Sequence, residues 1–347
     1  MKQRAIDRIK RQLKFLIENK ETIIADTDTH LTDFSTMSAQ MQKKYESTYN
    51  LYQGRPISVE DLLTEMKMAG VDLCLCWQNP ATTWYRGGNL NFEYLLRSNR
   101  YIFECSCRYP EKIIPSGWTD PKALGMEAAK EMVRICVEDF GCPVVKINPA
   151  QNAFQIDSDQ VIELTRTIID YGVVPAFHFA ADTQYTPTEG LCHLADLFPD
   201  SKILAVHMGG GGASYMEAEK MYNDIRTLGL KYKNLYFIES AKRDIHIESD
   251  FITYTLSGEA DYKRIFCASD APYGRMTWNY GGYRSMFASL IDSEHHTDSR
   301  VRNHAALFDK ALAQRFMGGN FADFMIEQYT GMLHREVSPT HEYELLK

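Results

Sequence analysis

Short runs of apolar and β-branched residues recur along the chain, separated by longer segments with helical spacing. The runs occupy positions 23–28, 72–77, 101–106, 143–148, 173–179, 202–207, 234–239 and 264–269. From the second run onward they begin roughly thirty to forty residues apart, which leaves room for one strand, one crossover helix and two loops. Eight such units predict a (β/α)8 TIM barrel, a single α/β domain built on parallel strands.

The segments between the runs carry helix signals. Residues 58–70 combine a capping serine, an acid at the third helical position, an apolar face and a terminating glycine. Spacing and caps predict further helices at 121–139, 157–171, 188–197 and 214–228, and closing helices at 301–313 and 321–329. The predicted organisation is an N-terminal helix at 1–22, a barrel domain at 23–330 and a C-terminal tail at 331–347.

Two connections are longer than ordinary barrel loops, at 31–56 and at 79–89. Both follow the carboxyl ends of predicted strands, where the loops of a barrel surround the active site. The second connection carries Trp84, Tyr85 and Arg86 beside paired glycines. We therefore expect both loops to form walls of a substrate site, with surface decoration or a subunit contact as the alternative.

Composition narrows the class of protein. The 347 residues are 44% hydrophobic and 12% aromatic, which is typical of a folded globular protein. The formal charge of -8 is spread along the chain without a basic patch, so we expect no nucleic-acid partner. The chain contains no apolar stretch typical of a secretory signal or a membrane span. These features favour a cytoplasmic protein with a small-molecule substrate. They are also compatible with a homo-oligomer.

Metal-binding side chains stand at the ends of several predicted strands. Asp28 and His30 are two positions apart, so in a strand they point to the same face. His178, His207 and Asp270 each end another apolar run. Because parallel strands of a barrel end at one face, residues this distant in sequence can converge on one ion. A buried acid needs a proton or a cation, which favours a metal site over isolated half-buried histidines.

These residues belong to motifs that resemble the amidohydrolase superfamily, in its amidohydrolase-2 branch of metal-dependent hydrolases and aminocarboxymuconate-semialdehyde-decarboxylase-like enzymes. The motifs are Asp26-Thr-Asp28-Thr-His30, Ala69-Gly70-Val71-Asp72, Val145-Lys146-Ile147-Asn148-Pro149, His178, His207-Met-Gly-Gly and Ser269-Asp270-Ala-Pro272. The resemblance covers roughly residues 22–330 and keeps these motifs in order on the predicted strands. It implies the barrel fold and one divalent cation, with zinc favoured and manganese or magnesium as alternatives.

The resemblance also implies a role for individual residues. His207 would transfer a proton or act as an electrophilic group. Many relatives have His-x-His on the first strand where this chain has an aspartate followed by a histidine, and this change leaves the metal identity open. The cation would be bound by Asp28, His30, His178 and Asp270.

Lys146 matches a lysine that is carboxylated and bridges two metals in binuclear relatives. With one strand-one histidine replaced, we expect a single ion, so that Lys146 serves as a salt-bridge or substrate contact. Aromatic side chains would pack against a flat or cyclic substrate. The residues expected to contact substrate are Lys146, Trp77, Trp84, Arg86, Tyr273 and Arg275.

The favoured reaction is metal-assisted hydrolysis of an amide, ester or lactone carbonyl in a small molecule, such as a cyclic, carboxylate-bearing compound. Asp270 would take the proton of a metal-activated water, and His207 would stabilise the oxyanion or supply a proton. The alternative is non-oxidative decarboxylation of an aromatic or unsaturated carboxylic acid at the same site. A third interpretation is a catalytically inactive barrel.

Overall fold

Nine strands lie in the part of the chain that the computed structural model describes, which comprises residues 1–37, 39–46, 55–83, 85, 88, 90–181, 184–211 and 219–337. β3 and β4 are separated only by Ser116 and together occupy one position, so the strands fill eight positions. The strands are β1 (Ala25–Leu31), β2 (Leu73–Gln78), β3 (Ile113–Pro115), β4 (Gly117–Trp118), β5 (Val144–Ile147), β6 (Val174–His178), β7 (Ile203–Val206), β8 (Leu235–Glu239) and β9 (Ile265–Cys267).

The strands close into a barrel. β1 to β3 form one parallel sheet and β4 to β9 form another, and the chain itself joins the two through Ser116. At the other seam, Thr29 pairs with Ala271 just beyond β9, and the His30 N–H donates to the Ala271 carbonyl at 2.7 Å. The predicted (β/α)8 barrel is therefore confirmed.

Helices cover the outside of the barrel. In the described residues they are α1 (Gln3–Asn19), α2 (Ala39–Glu46), α3 (Val59–Ala69), α4 (Asn91–Arg108), α5 (Pro121–Leu124), α6 (Met126–Arg134), α7 (Pro149–Asn152), α8 (Asp159–Asp170), α9 (Thr188–Leu197), α10 (Glu219–Lys231), α11 (Asp244–Ser257), α12 (Glu259–Tyr262), α13 (Met276–Ile291), α14 (Ser299–Asn303), α15 (Lys310–Gln314) and α16 (Asn320–Val337). None of them has the length and apolar character needed to cross a membrane.

The predicted start and end of α3 are confirmed. The Ser58 hydroxyl accepts from the Asp61 N–H at 3.1 Å, and the Asp61 carboxylate accepts from the Ser58 N–H at 2.9 Å. Gly70 ends the helix with a φ of 62°, a left-handed conformation that glycine adopts without steric penalty. These local signals fix where α3 ends. β2 begins soon afterwards, at Leu73.

The predicted strand at 101–106 is wrong, because these residues lie inside α4. Leu95, Asn99, Ile102, Phe103 and Ser106 are buried at spacings of three and four residues, as expected for one face of a helix. A short apolar run does not by itself distinguish a strand from a buried helix face. The third strand position is instead occupied by β3 and β4, ten residues or so further along.

The terminal helices pack onto the barrel. Ala5, Ile9 and Leu16 on α1 are buried in the hydrophobic core, and the Arg8 guanidinium donates to the carbonyls of Phe140 and Gly141 at 2.9 and 2.7 Å. The closing helix predicted at 301–313 is split into α14 and α15 by a 3-10 turn. The closing helix predicted at 321–329 lies within α16, which continues to position 337. Residues 338–347 of the predicted tail lie outside the described residues.

Candidate active site

A small cavity opens where the strands end. Its volume is about 200 Å³, and it lies at the carboxyl ends of the strands, where a barrel carries its active site. Most of the residues predicted to act in binding or chemistry meet there, together with residues that were not predicted. The lining consists of His30, Pro80, Trp118, Lys146, Asn148, His178, His207, Gly211, Asp270 and Tyr273.

Asp28 lies beneath this cavity and is fully buried on β1. Its Oδ1 atom is 3.5 Å from His30 Nε2 and 3.6 Å from Lys146 Nζ, and its Oδ2 atom is 3.5 Å from His207 Nδ1. Burial alone would raise the pKa of Asp28, but Lys146 and the two histidines hold the pKa below its usual range. Asp28 is therefore an anion at neutral pH around which the other groups are arranged.

One ring nitrogen of His30, Nε2, faces the carboxylates of two aspartates. Its Nδ1 lies 2.9 Å from the Gln78 carbonyl, which can only accept, so Nδ1 carries the proton. Its Nε2 atom is 3.5 Å from the carboxylates of both Asp28 and Asp270. Burial lowers the pKa of His30, but the facing carboxylates of Asp270 and Asp28 outweigh it and raise the pKa overall. The two carboxylates therefore need a positive charge at this place, which is either a proton on Nε2 or a metal ion.

A divalent cation fits this set of donors. Asp28, His207 and Asp270 each offer a ligand atom, and the three atoms lie within 4.8 Å of one another. The buried Oδ1 of Asp28 has no hydrogen-bond partner among the described residues, although its ion pairs are close. His30 adds an imidazole whose other nitrogen is fixed by a backbone carbonyl, as is usual for metal-binding histidines. Mixed carboxylate and imidazole donors accept zinc, manganese and related ions.

Two of the candidate catalytic residues have unusual backbones. His207 follows β7 with a φ of 80°, and Asp270 follows β9 with a φ of 56°. The left-handed region is unfavourable for residues with a Cβ and is found mainly where surrounding structure imposes it.

The same two residues have shifted pKa values. Burial and the Asp28 charge raise the pKa of Asp270, whereas burial and the neighbouring His178 hold the pKa of His207 well below its usual range.

Asp26 holds the Asp270 turn in place. It is fully buried on β1, and its carboxylate accepts from the Ser269 N–H at 3.0 Å, the Ser269 hydroxyl at 2.5 Å and the Asp28 N–H at 3.2 Å. Burial raises the pKa of Asp26 to about 7. The sequence analysis assigns Asp26 no role, although it stands in the same motif as Asp28 and His30; the register of β1 against β2 shifts between Asp26 and Thr29, so strand alternation does not predict the face that Asp26 takes.

Lys146 presents a cation to the cavity. Its side chain is buried on β5, with Nζ 4.7 Å from the centre of the Trp77 ring and 5.2 Å from that of Trp118. Indole faces attract ammonium groups, and together with Asp28 they compensate for the loss of water around Nζ. Trp77 thus acts as support beneath Lys146 and does not line the cavity.

Trp118 is a lining residue that sequence reasoning missed. It ends β4, the strand position that had been assigned to 101–106, so its place at the mouth of the barrel was not foreseen. Its indole N–H donates to the Tyr85 hydroxyl at 2.9 Å, and Tyr85 donates to the Gln151 side chain at 2.5 Å. This chain of hydrogen bonds fixes the orientation of the Trp118 ring against the cavity.

The other predicted site residues differ in position. Tyr273 lines the cavity, with its ring edge-to-face against His30 at 5.4 Å and its hydroxyl donating to Asn79 at 2.9 Å. His178 lines the cavity and packs edge-to-face against His207 at 4.9 Å. Arg275 lines two adjoining cavities of about 410 and 350 Å³, and it does not line the cavity of about 200 Å³. The predictions for Trp84 and Arg86 lie outside the described residues.

Comparison with known proteins found similarity only at the level of structure. No protein-family model and no curated protein matched the chain. An uncharacterised TIM-barrel protein from Bordetella bronchiseptica superposes with a TM-score of 0.61 at 15% identity, covering 88% of this chain and 99% of the other.

Two enzymes of stated activity are similar in the same way. A dihydroxybenzoic acid decarboxylase from Polaromonas, solved with bound manganese and the inhibitor 2-nitroresorcinol, has a TM-score of 0.57 at 15% identity and covers 88% of this chain and 97% of its own. A 5-carboxyvanillate decarboxylase from Sphingomonas paucimobilis has a TM-score of 0.59 at 14% identity, covering 87% and 98%. The chain shares the (β/α)8 barrel fold of these proteins.

Proposed function

We propose that the protein is a metal-dependent enzyme of the amidohydrolase superfamily that removes carbon dioxide from a small aromatic or unsaturated carboxylic acid. The observation that carries the proposal is the small, buried cavity in which the Lys146 ammonium group faces a two-carboxylate cation site. The cavity can therefore hold a negatively charged substrate between two positive centres. The decarboxylases of similar fold support the same choice of reaction.

The ion would be held by Asp28, His30 and Asp270, with His207 or His178 completing the set. When bound, a divalent cation supplies Lewis-acid polarisation of a substrate oxygen. Zinc and manganese both suit these donors, and the manganese in the Polaromonas decarboxylase supports including manganese.

The chain's own groups would bind and orient the acid. Lys146 would pair with a substrate carboxylate or phenolate oxygen, while the rings of Trp118 and Tyr273 would lie against a flat substrate. As the carbon–carbon bond breaks, its electron pair stays on the ring carbon and carbon dioxide leaves. Asp270 or His207, both of which line the cavity, would deliver the proton that this carbon takes up.

The cavity of about 200 Å³ lies below the usual range for drug-sized ligands, so it suits a single ring, which both candidate reactions allow. Burial favours decarboxylation over hydrolysis. Two of the cavity's polar groups are nearly inaccessible to solvent, with Lys146 1% and His207 3% exposed. A carboxylate that has lost its water shell is destabilised relative to neutral carbon dioxide, whereas hydrolysis needs a water molecule to be admitted.

The test is an analysis of products after loading the protein with zinc or manganese. We expect carbon dioxide release from one or more mono- or dihydroxybenzoates, and no release by an Asp270→Asn variant of unchanged thermal stability. Ring opening of lactones without carbon dioxide would instead support metal-assisted hydrolysis. Absence of both activities together with absence of bound metal would indicate a catalytically inactive barrel.

A further inference from the structure

Ser240 connects two residues of the cavity from beneath. It directly follows β8 and is fully buried. Its hydroxyl oxygen lies 2.7 Å from His207 Nδ1 and 3.1 Å from Asp28 Oδ2. Nothing in the sequence distinguishes this serine, since a single serine after an apolar run is common in any barrel.

The positions of the protons follow from the types of group involved. An ionised carboxylate can only accept hydrogen bonds, and a hydroxyl group has one proton to donate. If Ser240 donated to His207, its lone pairs would face those of Asp28 across 3.1 Å. Ser240 therefore donates to Asp28 and accepts from His207, which requires the proton of the imidazole to be on Nδ1.

We propose that Ser240 is a positioning residue that fixes His207 as the Nδ1–H tautomer and so presents the Nε2 lone pair to the cavity. No hydrogen bond joins Nε2 to the described residues, and His207 lines the cavity. The neutral ring can then accept a hydrogen bond from a substrate hydroxyl group but cannot donate one from Nε2. Resting on the proposed function, this narrows the substrate to an acid that also carries a hydroxyl group, and it leaves His178 to complete the ligands of the ion.

The backbone fixes the distance on which this arrangement depends. The Gly211 N–H donates to the Ala241 carbonyl at 2.6 Å, which joins the loop after β7 to the residue following Ser240. Ala241 has a φ of 51°, and His207 and Met208 have φ values of 80° and 45°. Left-handed residues on both loops indicate that the surrounding structure imposes this geometry.

Nitrogen NMR of full-length protein labelled with ¹⁵N-histidine tests the proposal, because the protonated and unprotonated ring nitrogens have well-separated signals. The protein is measured both with zinc and after chelation, and a His207→Gln variant identifies the signals of His207. We expect a proton on Nδ1 and none on Nε2. A proton found on Nε2 of the neutral ring would overturn the proposal.

Two substitutions separate Ser240 from Asp28 as the hydrogen-bond acceptor. Ser240→Thr retains the hydroxyl and should retain a slowly exchanging Nδ1–H signal, whereas Ser240→Ala should exchange this proton about tenfold faster. Equal exchange in wild type and Ser240→Ala would show that Asp28 accepts directly, which contradicts the proposal. Calorimetry confirms that each variant is folded. The measurement needs no turnover, so a protein with the expected tautomer but no carbon dioxide release would refute the proposed function alone.

Discussion

Gly210→Ala tests whether the loop after β7 packs against the end of β8 as closely as the structure shows. A Cβ at position 210 would lie 2.7 Å from the carbonyl oxygen of Ser240 and 2.8 Å from that of Ala241. Ordinary van der Waals contact begins near 3.4 Å, so the two loops would have to separate by about 0.7 Å. Both atoms belong to the backbone, and no change of side-chain rotamer can relieve the contact.

The expected effect is a loss of about 1–3 kcal/mol in the free energy of unfolding, the usual range for overpacking. For a chain of this length, the midpoint of thermal unfolding should fall by about 1–4 °C. Activity should fall as well, because the displaced loop carries His207. Differential scanning calorimetry measures the first effect, and a carbon dioxide release assay measures the second.

Gly281→Ala is the matched control. Gly281 lies within α13 with nothing within 4 Å of the added methyl group, so alanine should stabilise the helix by up to about 1 kcal/mol. The two glycine-to-alanine changes should therefore shift the melting temperature in opposite directions. If Gly210→Ala melts at or above the wild-type temperature with full activity, the close contact between the loops does not exist.

Three further predictions address charge. Mass spectrometry should find about one divalent ion per chain and none in a His178→Ala, Asp270→Ala double variant, while about two ions would indicate a carboxylated Lys146. Lys146→Met should lower kcat/KM for carboxylate substrates by about 10–100-fold, as expected for loss of a charged hydrogen bond, whereas Lys220→Met on an 87% exposed side chain should not. Because the folded-state pKa of Asp26, about 7, lies above its usual 3.8, the folded state binds the extra proton. The free energy of unfolding should then fall as the pH rises from about 4 to about 7. Calorimetry should find a smaller fall for Asp26→Asn.

The barrel was predictable because its evidence is spread over the whole chain. Eight runs and the intervening helix signals each contribute, so one misassigned run did not alter the count of units. The capping box at Ser58 and Asp61 was predictable for a different reason, since it depends only on local spacing. Asp28 and His30 could be paired because the period of a strand places them on one face.

The rest of the site depends on contacts that sequence spacing does not encode. Trp118 was missed because α4 buries an apolar run that also fits a strand, and the run was assigned to the barrel wall. The hydrogen bond from Ser240 to Asp28 joins residues 212 positions apart, and no local sequence pattern predicts it. Arg275 was expected to contact a metal-bound substrate because it follows Asp270 closely, but its side chain lines the adjoining cavities.

The first strand does more than contribute donors to the candidate ion site. Its two aspartates each reach a serine at the end of another strand, Asp26 through Ser269 after β9 and Asp28 through Ser240 after β8. Ser269 directly precedes Asp270, and Ser240 binds His207, so each aspartate supports one of the two candidate catalytic residues whose backbones are left-handed. Such conformations persist only where neighbouring contacts impose them. The two aspartates of β1 therefore support the candidate ion site and also the geometry of the residues that surround it.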